Sequence, residues 1–494
     1  MIHAKPTKRK PRPKNWITAM RHETPTQRNP GSVNDFTSPG PARTGWVLLT
    51  EVVVGVPLFA LLFVVLIGVP SFAADPDAQL APKALRAEAE AASRDLKRIR
   101  GKTVRKLPPV QVISTREYKD TYLLKSLDFM WGGDYERSLD IFRALGMLPA
   151  ELETKKFLDR FAGVMTSAAY DFLNKRIIFP GRTGSREVLV HELCHALQDE
   201  RFDIAKLMRA TGGSYDRILA TGALIEGEAT NVQIRYRLGG SRLFAGFIPF
   251  ETLRRETRER AEAIRRSWMR FLKDVPPSVI RTQSFVYDEG VLFIERLRRR
   301  KLRWAAVDEA YAMPPQSTTQ ILHPEKYLAG EWPVTMDIKG KKTLVPGYEL
   351  VTENTLGEFG MRLFLMTHLP KLEAPEKVVE GWRGDRVYLY RTKDGASQVV
   401  VWLSTWETDQ RAGSAGEKLK EALGALTERN ASFRDKPVYR GGGHRVSRIQ
   451  LETDLVLLAG PVLAPLKAED VFVKHLIAKT VPERRPPIGE EKKD

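Results

Sequence analysis

The run Val188-Leu189-Val190-His191-Glu192-Leu193-Cys194-His195-Ala196-Leu197-Gln198-Asp199 contains the pattern His-Glu-x-x-His. Side chains four apart on a helix share one face, about a turn from each other, so His191 and His195 can reach one metal ion. Glu192 projects from the same turn, where a carboxylate can take a proton from a water activated by the metal. Val188, Leu189, Leu193, Ala196 and Leu197 would bury such a helix, and neither Gly nor Pro interrupts it. The stretch predicts a buried helix carrying two ligands of a metal site.

A catalytic zinc ion usually has three protein ligands and an open position, so a third ligand is required. Downstream, Ala220-Thr221-Gly222-Ala223-Leu224-Ile225-Glu226-Gly227-Glu228-Ala229-Thr230-Asn231 offers two carboxylates, with small residues that would let a second helix pack close to the first. Glu226 and Glu228 are two apart, so on a helix they point to nearly opposite sides and only one can face the metal. Spacing alone leaves that choice open. His-Glu-x-x-His followed some tens of residues later by Glu-Gly-x-Ala resembles the gluzincin metallopeptidases. In several of their families, the aminopeptidases and clostridial-type collagenases among them, the Glu before that Gly is the third ligand. The resemblance therefore implies Glu226 as ligand beside His191 and His195, Zn2+ as cofactor, Glu192 as general base and a peptide or protein substrate. It extends to a group of bacterial metallopeptidase-like proteins that share a later segment, here Ser317-Thr318-Thr319-Gln320-Ile321-Leu322-His323-Pro324-Glu325-Lys326-Tyr327. Thermolysin-like gluzincins carry an Asp four residues after the ligand Glu to orient a histidine. This chain has Thr230 there, so the resemblance supplies no partner for that role.

The chain has 494 residues and a net charge of +18, spread along its length. No nucleic-acid motif accompanies the charge, so no nucleic-acid partner is expected; a basic surface facing anionic lipid or cell wall fits it better. Cys194 is the only cysteine, which excludes an internal disulfide. It is turned roughly 100° from His195 and reads as core.

Residues 1–44 form a polar basic segment expected to be a disordered tail. Within 45–74, Val52 to Val69 is an uncharged apolar run of a length that just spans a bilayer, followed by Ser71-Phe72-Ala73-Ala74-Asp75. It reads as a transmembrane signal anchor or a signal peptide, with the catalytic region outside the cytoplasm in either case. Residues 75–107 read as a helical spacer, 108–330 as a mostly helical zincin-like domain with a small sheet, 331–480 as a smaller α+β domain and 481–494 as a polar tail. The fold class is α+β. Short strands are expected at Val164–Tyr170 and Lys175–Phe179, like the gluzincin sheet whose edge strand holds an extended peptide. Glu251–Phe271 is expected to be a solvated helix of alternating Arg and Glu, and Val291–Arg299 a separate helix after Phe285–Gly290. A zincin needs a donor for the developing oxyanion. His323 and Tyr287 are the candidates, with Tyr170 a third group that could polarise the scissile carbonyl. A zinc peptidase at or beyond the membrane is thus the expected activity. The alternatives are a degenerate binding protein of the envelope or a zinc hydrolase of a non-peptide amide.

Overall fold

The computed structural model describes residues 82–133, 135–149, 168–181, 184–239, 248–271, 277–300, 303–428, 444–461 and 477–480, all within one compact unit, Val54–Asp494. The apolar run at Val52–Val69 and both expected tails lie outside the described residues. No helix among the described residues is long and apolar enough to cross a membrane.

The fold is α+β. Helix α1 (Pro82–Arg100) leads into strand β1 (Val110–Ile113), which pairs parallel with β3 (Arg176–Pro180); β2 (Ala169–Asp171) adds antiparallel to the other side of β3 and forms an edge. The turn between β2 and β3 is built by Asp171, whose Oδ1 accepts the amides of Leu173 and Asn174. Helix α2 (Arg186–Phe202) opens on Ser185, whose hydroxyl accepts the Val188 amide as a cap, and closes on Asp203 in the left-handed region. Helices α3 (Tyr215–Gly239), α4 (Phe250–Phe271), α5 (Pro277–Arg298), α6 (Trp304–Ala312) and α7 (Thr318–Leu322) follow. Strand β4 (Thr335–Ile338) pairs with β10 (Ile477–Thr480) at the far end of the chain. Beyond it, β5 (Glu349–Asn354), β6 (Trp382–Arg391), β7 (Gln398–Trp406), β8 (His444–Leu451) and β9 (Asp454–Pro461) form an antiparallel sheet in the order β5-β6-β7-β9-β8. Helices α8 (Gly357–His368) and α9 (Asp409–Glu428) belong to the same region.

Two expectations change. The spacer is not a spacer from Pro82 onward: Leu85, Ala92 and Leu96 of α1 are buried in the main core with residues of α2 and α3. The charged residues between them misled because only one stripe of an amphipathic helix needs to be apolar. The separate helix at Val291–Arg299 is the second half of α5, which starts at Pro277 and runs unbroken through Gly290. The main core cluster takes in residues on both sides of position 330, from Leu85 to Ala459.

The start of α3 is fixed by the sheet. Asn354, at the end of β5, accepts the Tyr215 amide through Oδ1 at 2.8 Å, and Asp216 Oδ1 accepts the Thr318 amide at 2.8 Å and the Thr318 hydroxyl at 2.5 Å. Asp385 of β6 accepts the amides of Leu356 and Gly357 and the Trp402 indole. Burial pushes the Asp216 carboxyl up to about 7 against the Thr318 hydrogen bonds, with Asp385 adding to the rise. A carboxyl whose folded pKa is raised stabilises the fold fully below its unfolded value, near 4, and loses that contribution as pH rises through 7. Asp216→Asn keeps an acceptor for Thr318 and removes the titration. The stability of the wild type relative to Asp216→Asn should therefore fall between pH 4.5 and 7.5 in denaturant titrations. An unchanged difference would contradict the raised pKa.

Candidate metal centre

His191 and His195 stand one turn apart on α2, and Glu226 faces them from α3. All three side chains and Glu192 are 0 % exposed. The Nε2 atoms of the two histidines are 3.0 Å apart; His191 Nε2 lies 3.3 Å from Glu226 Oε2 and His195 Nε2 3.6 Å from Glu226 Oε1. One ligand atom from each residue falls within 4.8 Å of the others, so the three could hold a metal ion. They form the one such group of His, Cys, Asp and Glu side chains found among the described residues.

The polar chemistry around the cluster fits a cation. Both oxygens of Glu226 and of Glu192 are buried without a hydrogen-bond partner among the described residues. Buried polar atoms seldom stay unpaired, because each costs about 1–3 kcal/mol and more when charged. The His195 tautomer follows from its neighbour Gln198. The Gln198 Nε2 donates to the Ile225 carbonyl at 2.9 Å and to Glu228 Oε2 at 3.0 Å, so its Oε1 is the atom that meets His195 Nδ1 at 2.8 Å. His195 then carries a proton on Nδ1 and turns Nε2 into the cluster, where loss of the Nε2 proton leaves the lone pair that a metal requires. Glu228 is in turn held by Arg100 from α1 and by the Tyr311 hydroxyl from α6 at 2.6 Å.

Electrostatics separate the members. Burial pulls the His191 imidazole down to about 4, while His195, also pushed down by burial, is held up to about 9 by the Glu226 and Glu192 carboxylates. Burial raises Glu226 as well, but His195 and His191 outweigh it and leave its carboxyl below the usual value. Burial pushes Glu192 up to about 8, opposed by His195 and reinforced by Glu226.

Gly227 has a role the sequence did not suggest. A Cβ there would lie 2.3 Å from the Gly290 carbonyl carbon, and a Cβ on Gly290 2.4 Å from the Ala223 oxygen. Helices α3 and α5 thus cross glycine on glycine beside Glu226, with Ala223 and Gly227 giving room to α5. Added methyl groups at this crossing would force the helices apart, an overpacking that typically costs about 1–3 kcal/mol.

The remaining expected site residues divide. Tyr170 lies on edge strand β2, and its hydroxyl donates to Asp199 Oδ2 at 2.8 Å instead of to the cluster. The hydroxyl is thus committed elsewhere, whereas the Tyr170 backbone amide lies toward Glu192 without reaching hydrogen-bond geometry. His323 pairs through Nε2 with Glu358 on α8 at 3.0 Å, and no contact among the described residues joins it to the cluster. Tyr287 lies on α5 one turn before Gly290, with the Arg260 guanidinium 5.0 Å from its ring centre. Thr230 Oγ1 makes no hydrogen bond among the described residues, and neither does His191 Nδ1, so Thr230 does not take over an orienting role. Gln198, Tyr311, Arg100 and Arg260 were not read from sequence. Gln198 had a signal, being three residues after His195 on the same helix face.

A family model for a domain of unknown function (DUF8575) matches residues 344–468, which takes in β5 to β9 and none of the cluster. Comparison with curated proteins and with solved structures gives no match.

Proposed function

We propose that this chain is a zinc-dependent peptidase, membrane-associated or exported, with His191, His195 and Glu226 as metal ligands and Glu192 as general base. The observation that carries the reading is the convergence of three buried ligand side chains with a fourth, unpaired carboxylate on the same turn. Zinc, when bound, supplies Lewis acidity that polarises a carbonyl and makes water a stronger acid at neutral pH. Glu192 takes the proton from water on one carboxylate oxygen and returns it to the leaving amine. Its raised carboxyl suits a group that must both accept and donate near neutral pH. Among the described residues β2 is an edge strand, and an extended peptide reaching Glu192 would run along it beside the Tyr170 backbone amide. Gln198, backed by Glu228, keeps His195 in the ligand tautomer. Membrane association or export rests on the apolar run Val52–Val69 and its basic leader.

One observation favours a second reading. Structural zinc sites are closed whereas catalytic ones keep an open position, and the complete burial of this cluster suits a metal that holds a binding protein together. The two readings part in a peptide-library digest of the full chain with metal content measured in parallel. The peptidase reading expects about one zinc per chain and cleavage that a chelator abolishes. Zinc without cleavage supports the structural reading, or an amide substrate other than a peptide; absence of bound metal overturns both.

A further inference from the structure

The helix α4 was expected to be a solvated surface helix, and Arg254, Arg255 and Arg266 are exposed in short-range pairs with Glu251, Glu259 and Glu262. Arg260 departs from that pattern. It shares an inward stripe with Leu253 and Thr257, which are buried at helical spacing. Its two terminal nitrogens are buried and find no hydrogen-bond partner among the described residues. Other inward arginines are satisfied: Arg235 bonds Glu295 and Asn231, and Arg100 bonds Glu228 and Asp308. No other arginine among the described residues leaves both terminal nitrogens buried and unpaired.

The surroundings show what is missing. The guanidinium stands over the Tyr287 ring, 5.0 Å from its centre, and Tyr287 lies one turn before Gly290, which packs against Gly227 next to Glu226; the Arg260 charge is felt at Glu226 and His191. Asp288 on α5 pulls on the Arg260 charge but forms no ion pair with it among the described residues. Burial also pushes the Asp288 carboxyl up to about 8, leaving it largely protonated at neutral pH. A guanidinium stays charged at any pH a protein meets, so its two terminal donor groups are left without a hydrogen-bonding anion among the described residues. Such a group is costly to stability unless an anion completes it. Two unpaired terminal nitrogens on a planar fork match the two oxygens of one carboxylate.

We infer that Arg260 is a substrate-binding residue that receives a carboxylate beside the metal cluster, so that the preferred substrates are peptides with a carboxylate next to the scissile bond. This rests on the peptidase reading for its biological sense, but the binding site itself does not require the metal. The carboxylate has two sources in a peptide, the C-terminus and an Asp or Glu side chain. The helix that carries Arg260 is anchored by a small satellite core of Ile234, Ile248, Leu253 and Val291, so opening it disturbs little of the main core.

The test is calorimetric binding to the full chain after chelator treatment, which prevents hydrolysis. Four probes are compared: N-acetyl-dialanine as free acid and as amide, and N-acetyl-Ala-Asp-amide against N-acetyl-Ala-Asn-amide. The wild type should bind one acid form on the order of ten- to a hundredfold more tightly than its neutral counterpart. The first pair responding identifies the C-terminus, the second a side chain. Arg260→Gln should lose the preference while melting at the same or a higher temperature, because it relieves a buried unpaired charge. Arg260→Lys should retain only part of it, since an ammonium lacks the fork. Equal affinity for acid and neutral probes, no binding of either acid, or an Arg260→Gln variant that keeps the preference overturns the inference. Zinc content is measured on the same preparations before chelation. A wild type without zinc removes the peptidase reading and leaves the carboxylate result standing by itself.

Discussion

Glu192→Gln is expected to purify folded with its zinc and to hydrolyse peptides roughly 10²- to 10⁴-fold more slowly than the wild type, the usual contribution of a general base. Glutamine has nearly the same shape, so the helix, His191 and His195 keep their places. It cannot accept a proton at neutral pH, which removes the one step assigned to Glu192. Stability should not suffer. Both carboxylate oxygens are buried without partners among the described residues, so the substitution breaks no hydrogen bond there and removes a group whose ionisation burial already opposes. The measurement is a matched set of zinc content, melting temperature and peptide hydrolysis rate. Near wild-type hydrolysis by a zinc-loaded Glu192→Gln would take the base role away from Glu192.

The second large effect separates the two acids of α3. Glu226→Ala leaves only two histidines facing the cluster and is expected to purify essentially without metal. Glu228 does not face the cluster; it reaches His195 only through Gln198. Loss of a group that orients a ligand typically costs roughly 10- to 100-fold in metal affinity or activity. Glu228→Ala should accordingly retain zinc with reduced activity. It carries a stability penalty that Glu226→Ala does not, since Arg100 and Tyr311 both lose a buried acceptor. Breaking a buried pair of this kind typically costs about 3–5 kcal/mol, an upper bound here because Arg100 keeps Asp308. Glu228→Gln, which preserves an acceptor, should be milder in both respects. Metal analysis and melting curves on the three variants decide the matter, and a zinc-free Glu228→Ala beside a zinc-loaded Glu226→Ala would reverse the assignment.

What could be read from sequence followed the periodicity of the chain. The α2 helix was legible because apolar residues flank His191 and His195 on every side and nothing breaks the run. Glu226 was legible through the motif, although helical spacing alone did not choose it over Glu228. The apolar runs Arg386–Arg391 and Gln398–Thr405, joined by the turn Lys393-Asp394-Gly395, and Arg445–Leu451 and Leu455–Ala459 read as strands in sequence and fall within β6, β7, β8 and β9. Strands β4, β5 and β10 were missed, being short and less apolar. In sequence Gly290 ends a lead-in segment, and a glycine within a helix usually weakens it. Here it permits the α3–α5 crossing, a tertiary requirement that no local signal encodes. Arg100, Tyr311 and Arg260 were invisible for the same reason. Each meets its partners across 80 or more residues of sequence or lies in a run of similar charges, and only the packed fold singles it out.

The most direct measurement is anomalous diffraction at the zinc edge from crystals of the full chain grown with zinc. A single strong peak within bonding distance of His191 Nε2, His195 Nε2 and a Glu226 oxygen, with no protein atom in the fourth position, is the predicted result. A map with no peak between those three side chains, or with the metal held elsewhere, would contradict it.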